Sequence, residues 1–357
     1  MLPKKIFTVA LVATSITAFA QENNPLKISG YAEVYYQQDF NQPKNNTRPG
    51  FVYSHHRTNE VNINLGLIKA KYETENLRAN LGVGVGTYMN ANYAAEPGVL
   101  KNVYEANVGV KLSKNHNLWL DAGVLPSHIG FESAIGADCP TLTRSIMAEN
   151  SPYFETGVKV TYTTTDGKWT VSGLVLNGWQ RIQKVDGNSS PSFGHQLVYK
   201  PNSKITLNSS SFVGNNKTDS LKQMRYFHNL YGQFQINEKW TLTAGFDIGA
   251  EQKSKGSEQY NAWYAPIFIA KYSPTEKHNI AARVEYYNDK NGVIIGTGTP
   301  NGFQTWGYSI NYDYKISGNL MWRLEARNLN SKDKIFTKDA QPTQNNFVAS
   351  TALAVSF

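Results

Sequence analysis

One cysteine, Cys139, is the whole thiol content of this 357-residue chain. It can close no internal disulfide and build no thiolate zinc cluster, and it reads as incidental. Charge is scarce as well: Asp, Glu, Lys and Arg together make up 17%. The formal balance is +8, or +6 without Lys4 and Lys5, but it is spread along the chain with no dense basic block. Nucleic acid is a poor partner for such a chain, and at most a mild preference for anionic solutes follows. Beyond residues 6–18 there is no long apolar run, which excludes a transmembrane helix. A membrane is not excluded, because a closed β-barrel also satisfies every backbone group inside a bilayer. Catalytic signatures are missing too: there is no G-x-S-x-G elbow and no H-E-x-x-H pair. His128 and His195 have no supporting motif, and the adjacent His55 and His56 would diverge on an extended chain, as solvated loop residues do. The chain reads as a non-enzyme, with no catalytic residue, no cofactor and no metal site to assign.

What is abundant points elsewhere. Tyr, Phe and Trp reach 12% of the residues, yet mean hydropathy is only −0.45. Rich in aromatics and low in charge, the composition suits a wall with lipid on one side and water on the other. Residues 1–20 have the form of a cleaved signal peptide: Lys4-Lys5, a short apolar stretch, then Ala18-Phe19-Ala20 before Gln21. Export by the Sec pathway and an outer membrane of a Gram-negative cell are expected, with residues 21–357 forming one barrel domain. The first strand follows the cleavage site by about seven residues, so no energy-coupling plug domain is expected ahead of it.

The rest alternates strands of about 10 to 13 residues with polar breaks of two sizes. Short turns fall at 73–76, 113–117, 163–168, 200–204, 237–239, 273–277 and 317–319. Long breaks fall at 41–57, 90–101, 126–152, 181–192, 214–224, 251–260, 289–302 and 329–345. Seven turns and eight loops in strict alternation join sixteen strands. The expected fold is therefore an all-β, antiparallel, up-and-down transmembrane barrel with short periplasmic turns and long extracellular loops. Period-2 alternation assigns an apolar face to lipid and a polar face to the lumen. By that reading Val61, Ile63, Leu65 and Leu67 face out, and Trp119, Trp169, Trp240 and Tyr162 belong to interfacial girdles. The last strand ends on Phe357, which looks like the C-terminal signature that addresses bacterial barrels to the assembly machinery.

Sixteen strands enclose an aqueous lumen, and something must narrow it if it is to select. The longest break, 126–152, is the expected constriction loop, with Glu132, Asp138, Arg144 and Glu149 as its charged residues. Wall charges expected to face it are Arg78, Glu155, Lys159, Arg283, Arg323 and Arg327, together with Glu33, Glu60, Glu105, Asp121, Asp247 and Glu285. A structural ion pair is the plain alternative for each. The glycines of 81–86 leave room for a loop folded inward.

Several runs carry a resemblance: Asp121-Ala-Gly-Val-Leu-Pro126, Gly130-Phe-Glu-Ser133, Thr143-Arg144-Ser145, Ser151-Pro-Tyr-Phe-Glu-Thr-Gly157 and Leu176-Asn-Gly-Trp-Gln180. Together they resemble the OmpL-like β-barrel porin family common in Bacteroidota. The resemblance implies an outer-membrane pore with no catalytic set to carry over. Arg144 and Glu155 match its recurrent positions. The expected function is passive diffusion of small hydrophilic solutes, with outer-membrane lipids as surroundings. General porins are usually homotrimers, but nothing in the sequence marks an interface. A substrate-specific channel for a sugar or an anion, and a non-conducting barrel acting as adhesin or anchor, are the other two readings.

Overall fold

The computed structural model describes residues 24–357, so the leader expected over 1–20 lies outside the described residues. Strands follow one another as β1 (Leu26–Asp39), β2 (Val61–Glu73), β3 (Leu77–Val85), β4 (Val103–Lys111), β5 (Asn117–Pro126), β6 (Phe154–Thr163), β7 (Trp169–Leu176), β8 (Ser192–Asn202) and β9 (Ile205–Asn215). They continue as β10 (Met224–Gln235), β11 (Trp240–Gln252), β12 (Tyr260–Tyr272), β13 (His278–Asp289), β14 (Phe303–Lys315) and β15 (Leu320–Ser331), a small hairpin β16 (Phe336–Lys338) and β17 (Gln341–Thr343), and β18 (Asn345–Ser356). All except β16 and β17 form one closed antiparallel barrel of sixteen strands, each paired with its neighbour in sequence and β18 closing on β1. Closure removes every sheet edge, which is what a hydrocarbon surrounding requires. Two short helices interrupt the loops: α1 (Thr87–Asn92) and α2 (Ile146–Glu149).

The outer face is apolar where expected, with Ile28, Leu81, Val83, Ile248, Ile310 and Leu353 all exposed. Aromatic pairs mark its rims: Trp169 stacks on Tyr199 at 4.1 Å near the turns, while Tyr286 and Trp306 meet at 4.8 Å near the loops.

Three departures from the expected facing stand out. In β2 the ladder with β1 shifts between Glu33 and Val34, leaving Asn64 as an extra residue. A one-residue slip exchanges faces. Val61 and Ile63 therefore face out as expected, but Leu65 and Leu67 turn inward and are buried. Trp119 is also inside, under the Arg78 guanidinium at 4.3 Å, and not in a girdle. Finally, β12 points Trp263, Ala265, Ile267 and Ile269 into the lumen, where they are buried. The expectation of a purely polar inner face fails there because the inserted loops pack against it: Ile129, Ile146 and Met147 join those residues in one apolar cluster.

Candidate functional site

The loop 126–152 is built into the barrel from its root. Ser127 N donates to Tyr153 O at 3.1 Å, pinching its neck. His128 grips the wall beside the loop's root, with Nδ1 2.5 Å from Glu155 Oε2 on β6 and Nε2 2.8 Å from Ser211 O on β9. Gly194 makes the space, since a Cβ there would sit 2.7 Å from His128 Nε2. Farther on, Gly130 N donates to Asn229 Oδ1 at 3.2 Å, and Phe131 and Met147 occupy the space left by Gly245.

The far anchor is a checkerboard of charge on β13 and β15. Arg283 and Glu285 alternate with Arg323, Glu325 and Arg327 across the short side chains of β14, where Gly307 lies opposite Glu285. These groups bind backbone of the loop. Arg283 donates to Thr143 O at 2.7 Å and to Thr141 Oγ1 at 2.9 Å. Arg323 donates to Gly136 O at 2.5 Å and Cys139 O at 2.9 Å while its fork holds Asp313. Arg327 donates to Arg144 O at 2.9 Å and Glu285 at 2.7 Å. In return Glu285 accepts from Ile146 N, Glu325 from Thr143 N, and Asn311 from Leu142 N. Every residue from 141 to 150 is buried.

The sequence-selected charges outside the clamp separate into four groups. Glu132 and Arg144 work inside the loop. Glu132 accepts from Ser145 N and Oγ, and Arg144 donates to the carbonyls of Ser133, Ala134 and Leu142. Arg144 is fully buried, so its charge is spent on loop carbonyls. Glu155 is the His128 partner, and Arg78 grips Asp121 through two bonds of 2.7 and 2.5 Å. Lys159, partly exposed, and Asp138, exposed, make no ion pair among the described residues and remain open to water. Glu149 does something the sequence did not signal: it accepts Tyr53 N at 3.0 Å and Ser54 N at 3.1 Å, stapling the first long loop to the third.

That first loop is fastened by His55, whose Nε2 is 2.5 Å from Glu33 Oε1, with Tyr31 OH on the other oxygen. His55 is completely buried, so its expected place in solvent is corrected. The 81–86 glycines do leave room inside, but for the second loop: a Cβ on Gly84 would meet Met89 Sδ at 2.9 Å.

Two of these fasteners titrate. Burial pushes the Glu149 carboxyl up to about 7 from its ordinary 4.5. Burial alone would depress His128, but the Glu155 carboxylate outweighs it and raises the imidazole above 6.5. A group that binds its proton more tightly when folded stabilises at low pH and loses that contribution as pH rises through the folded pKa. The loop contacts should therefore be firmest at acidic pH and loosen as pH rises from about 4.5 through about 7. Protection factors of the Tyr53 and Ser54 amides, measured by hydrogen exchange across that window, should fall with pH; constant values would refute the coupling.

Water-accessible space remains on both sides of the loop. On the extracellular side a cavity of about 440 Å³ is lined by residues of six loops, including Asn92, Glu149, Trp179 and Arg181. On the turn side a cavity of about 220 Å³ is roofed by Ala137–Pro140 of the loop and floored by Lys271, Lys315 and Asp313.

A sequence profile described as "Putative beta-barrel porin-2, OmpL-like" matches residues 25–357. No curated protein matches the chain in sequence. Among solved structures, the anion-selective porin of Comamonas acidovorans aligns with 93% of this chain and 99% of its own at 8% identity and a TM-score of 0.61. The outer membrane channel DcaP of Acinetobacter baumannii aligns at 10% identity, covering 93% and 97%, with a TM-score of 0.61. The trimer form of OmpT of Vibrio cholerae aligns at 8% identity, covering 93% and 99%, with a TM-score of 0.59. At such identities the likeness speaks for the fold alone.

Proposed function

Since the chain belongs to the OmpL-like β-barrel porin-2 family, whose members are outer-membrane porins, we propose that it passes small hydrophilic solutes by diffusion, with residues 126–152 as the constriction. The observation that carries this is the crossing of the lumen by a loop clamped to Arg283, Arg323 and Arg327. Such a loop leaves far less cross-section than sixteen strands enclose. Selection then rests on charges that remain unpaired. The four buried arginines Arg144, Arg283, Arg323 and Arg327 face the four carboxylates Glu132, Glu285, Glu325 and Asp313, and the set is neutral as a whole. Lys159, Lys271 and Lys315 lie on the water side without a carboxylate within ion-pair distance; they outnumber the unpaired Asp138 beside them and so favour small anions. The comparison with the anion-selective porin of Comamonas acidovorans is in keeping with this, though the charges here are the argument.

The same reading includes Sec export on the 1–20 leader, delivery to the barrel-assembly machinery through the C-terminal strand, and a homotrimer in the outer-membrane lipid, as the OmpT fold relative has a trimer form. Planar-bilayer recording tests the pore. We expect small single-channel steps and a reversal potential in a KCl gradient that shows anion preference. Changing Lys159, Lys271 and Lys315 together to Gln should abolish most of that preference. A protein that inserts but never conducts would sink the reading and favour an adhesin or anchor.

A further inference from the structure

The lipid-facing wall carries a polar island. Along β8, Gly194 and Gln196 turn inward, where Gln196 Nε2 donates to His128 O at 2.9 Å, so His195 between them turns outward. On β9 and β10 the inward set is Asn208, Ser210 and Asn229, bonded to one another, which leaves Ser209, Ser211 and His228 on the outer face. The register sets His195, Ser211 and His228 side by side in one row across three strands. Ser209 stands in the next row toward the turns, between Leu197 and Leu230. His195 is exposed and the other three are half-buried.

Apolar rows enclose the island. Tyr199 and Leu207 lie toward the turns, and Phe193, Val213 and Tyr226 toward the loops. His195 is four residues inside Tyr199, about 13 Å along the strand, in an apolar belt about 25 Å tall. Lipid headgroups do not reach that depth, and acyl chains offer no hydrogen bond. Among the described residues no Lys, Arg, Asp or Glu points outward from the middle of the wall. Ser211 Oγ lies 2.5 Å from His195 Nδ1 and Ser209 Oγ 3.2 Å from His228 Nε2, so each ring uses one nitrogen. His195 Nε2 and His228 Nδ1 have no partner among the described residues. An unmatched imidazole facing hydrocarbon is costly, and such side chains inside a membrane normally meet protein.

Other parts of the outer wall cannot meet this need. Thr351 already accepts from Trp322 Nε1 and donates to Arg323 O, and His278, at the turn end of β13, is taken by Tyr312 OH at 2.7 Å. A second copy docked through such a face would leave the ring nitrogens unmet. The island is complementary to itself, because imidazole and hydroxyl both donate and accept. Gly173 lies in the same row beside His195, with open space where a Cβ would be, so the surface there is low enough for close approach. Resting on the homotrimer reading above, we propose that copies of this chain meet through the outer face of β8, β9 and β10. The His195–Ser211–His228 row of each copy turns toward the symmetry axis and hydrogen-bonds to that of the next.

The test uses the full-length mature protein. Cys139 is buried, so a cysteine placed on the outer wall is the reactive one. In outer membranes treated with copper phenanthroline, Ser211→Cys should give covalent dimers on denaturing gels. Val34→Cys, at an exposed position on β1 across the barrel, should not. In mild detergent, sedimentation should give the mass of three chains, and His195→Leu combined with His228→Leu should weaken assembly at least about tenfold. That variant should still form a heat-modifiable barrel, because leucine suits a lipid-facing position. Cross-linking through Val34→Cys but not Ser211→Cys, or a double variant that assembles as tightly as wild type, would overturn the interface and leave the trimer. A wild type of two-chain mass that cross-links through Ser211→Cys would overturn the trimer and leave the interface. A monomeric wild type with neither cysteine cross-linking would overturn both.

Discussion

Replacing Arg283 with methionine should release the inserted loop and raise single-channel conductance several-fold, with the barrel still assembled. The guanidinium sits among Glu325 at 2.9 Å, Glu285 at 3.4 Å and Glu132 at 3.9 Å, and it also holds Thr141 and Thr143 of the loop. None of these side chains reaches water. Removing one partner of a buried ion pair typically costs about 3–5 kcal/mol, because the remaining charge is left uncompensated. Here three carboxylates share that loss. The cheapest relief is to hydrate them, and hydration requires the loop to leave the wall. The barrel itself rests on sixteen backbone ladders that the substitution does not touch. Arg283→Lys should fall between, since it keeps the charge but loses the fork that spans loop and wall. Unchanged conductance together with unchanged protease resistance of residues 126–152 would show that the loop is held by its apolar contacts instead.

Removing Phe357 should cut the amount of folded protein in the outer membrane by tenfold or more in cells. At the seam Phe357 N donates to Gly30 O at 3.0 Å and Gly30 N to Phe357 O at 2.7 Å. The ring lies over the bare face of Gly30, in the space that a Cβ would take. Phe357→Ala keeps both backbone bonds and loses only a ring that is 69% exposed on the outer surface. If the assembly machinery reads that ring, Phe357→Ala should fail in cells and yet refold almost normally into lipid vesicles from denaturant. Gly30→Val, which evicts the ring and presses on the seam, should impair both. Heat-modifiable migration on unboiled gels reports the folded fraction in each case. Equal behaviour of Phe357→Ala in cells and in vesicles would remove the recognition role and leave only the seam.

The barrel was legible because its signals are local and repeat. Turn residues, strand length and the two sizes of break are each written within a few positions, and all fifteen connections lie where those signals put them. The failures have non-local causes. Leu65 and Leu67 look like lipid-facing residues until the bulge at Asn64 turns them around, and a bulge depends on the partner strand β1. The inward β12 residues Trp263 and Ile267 are apolar because a helix from elsewhere in the chain covers them. Arg144 was singled out by its place in a motif; the carbonyls that absorb its charge come from its own loop, and nothing in the order of residues shows that they turn toward it. The Glu149 staple joins positions 95 residues apart, beyond the reach of any period.

The clamp on the loop also fixes an order of events. Thr143 N meets Glu325 across 182 residues, Ile146 N meets Glu285 across 139, and Arg323 meets Gly136 O across 187. Contacts of such separation form late, after the intervening chain has been ordered. The first ten strands can therefore pair while residues 126–152 hold only their near anchors, Glu155, Ser211 and Asn229. The charged clamp on residues 136–146 arrives only with β13 and β15, just before β18 closes on β1. Wall and constriction are completed in the same final step, so an assembly intermediate stalled before β13 would be an open, unguarded sheet, and its surveillance in the envelope would matter more than that of the finished barrel.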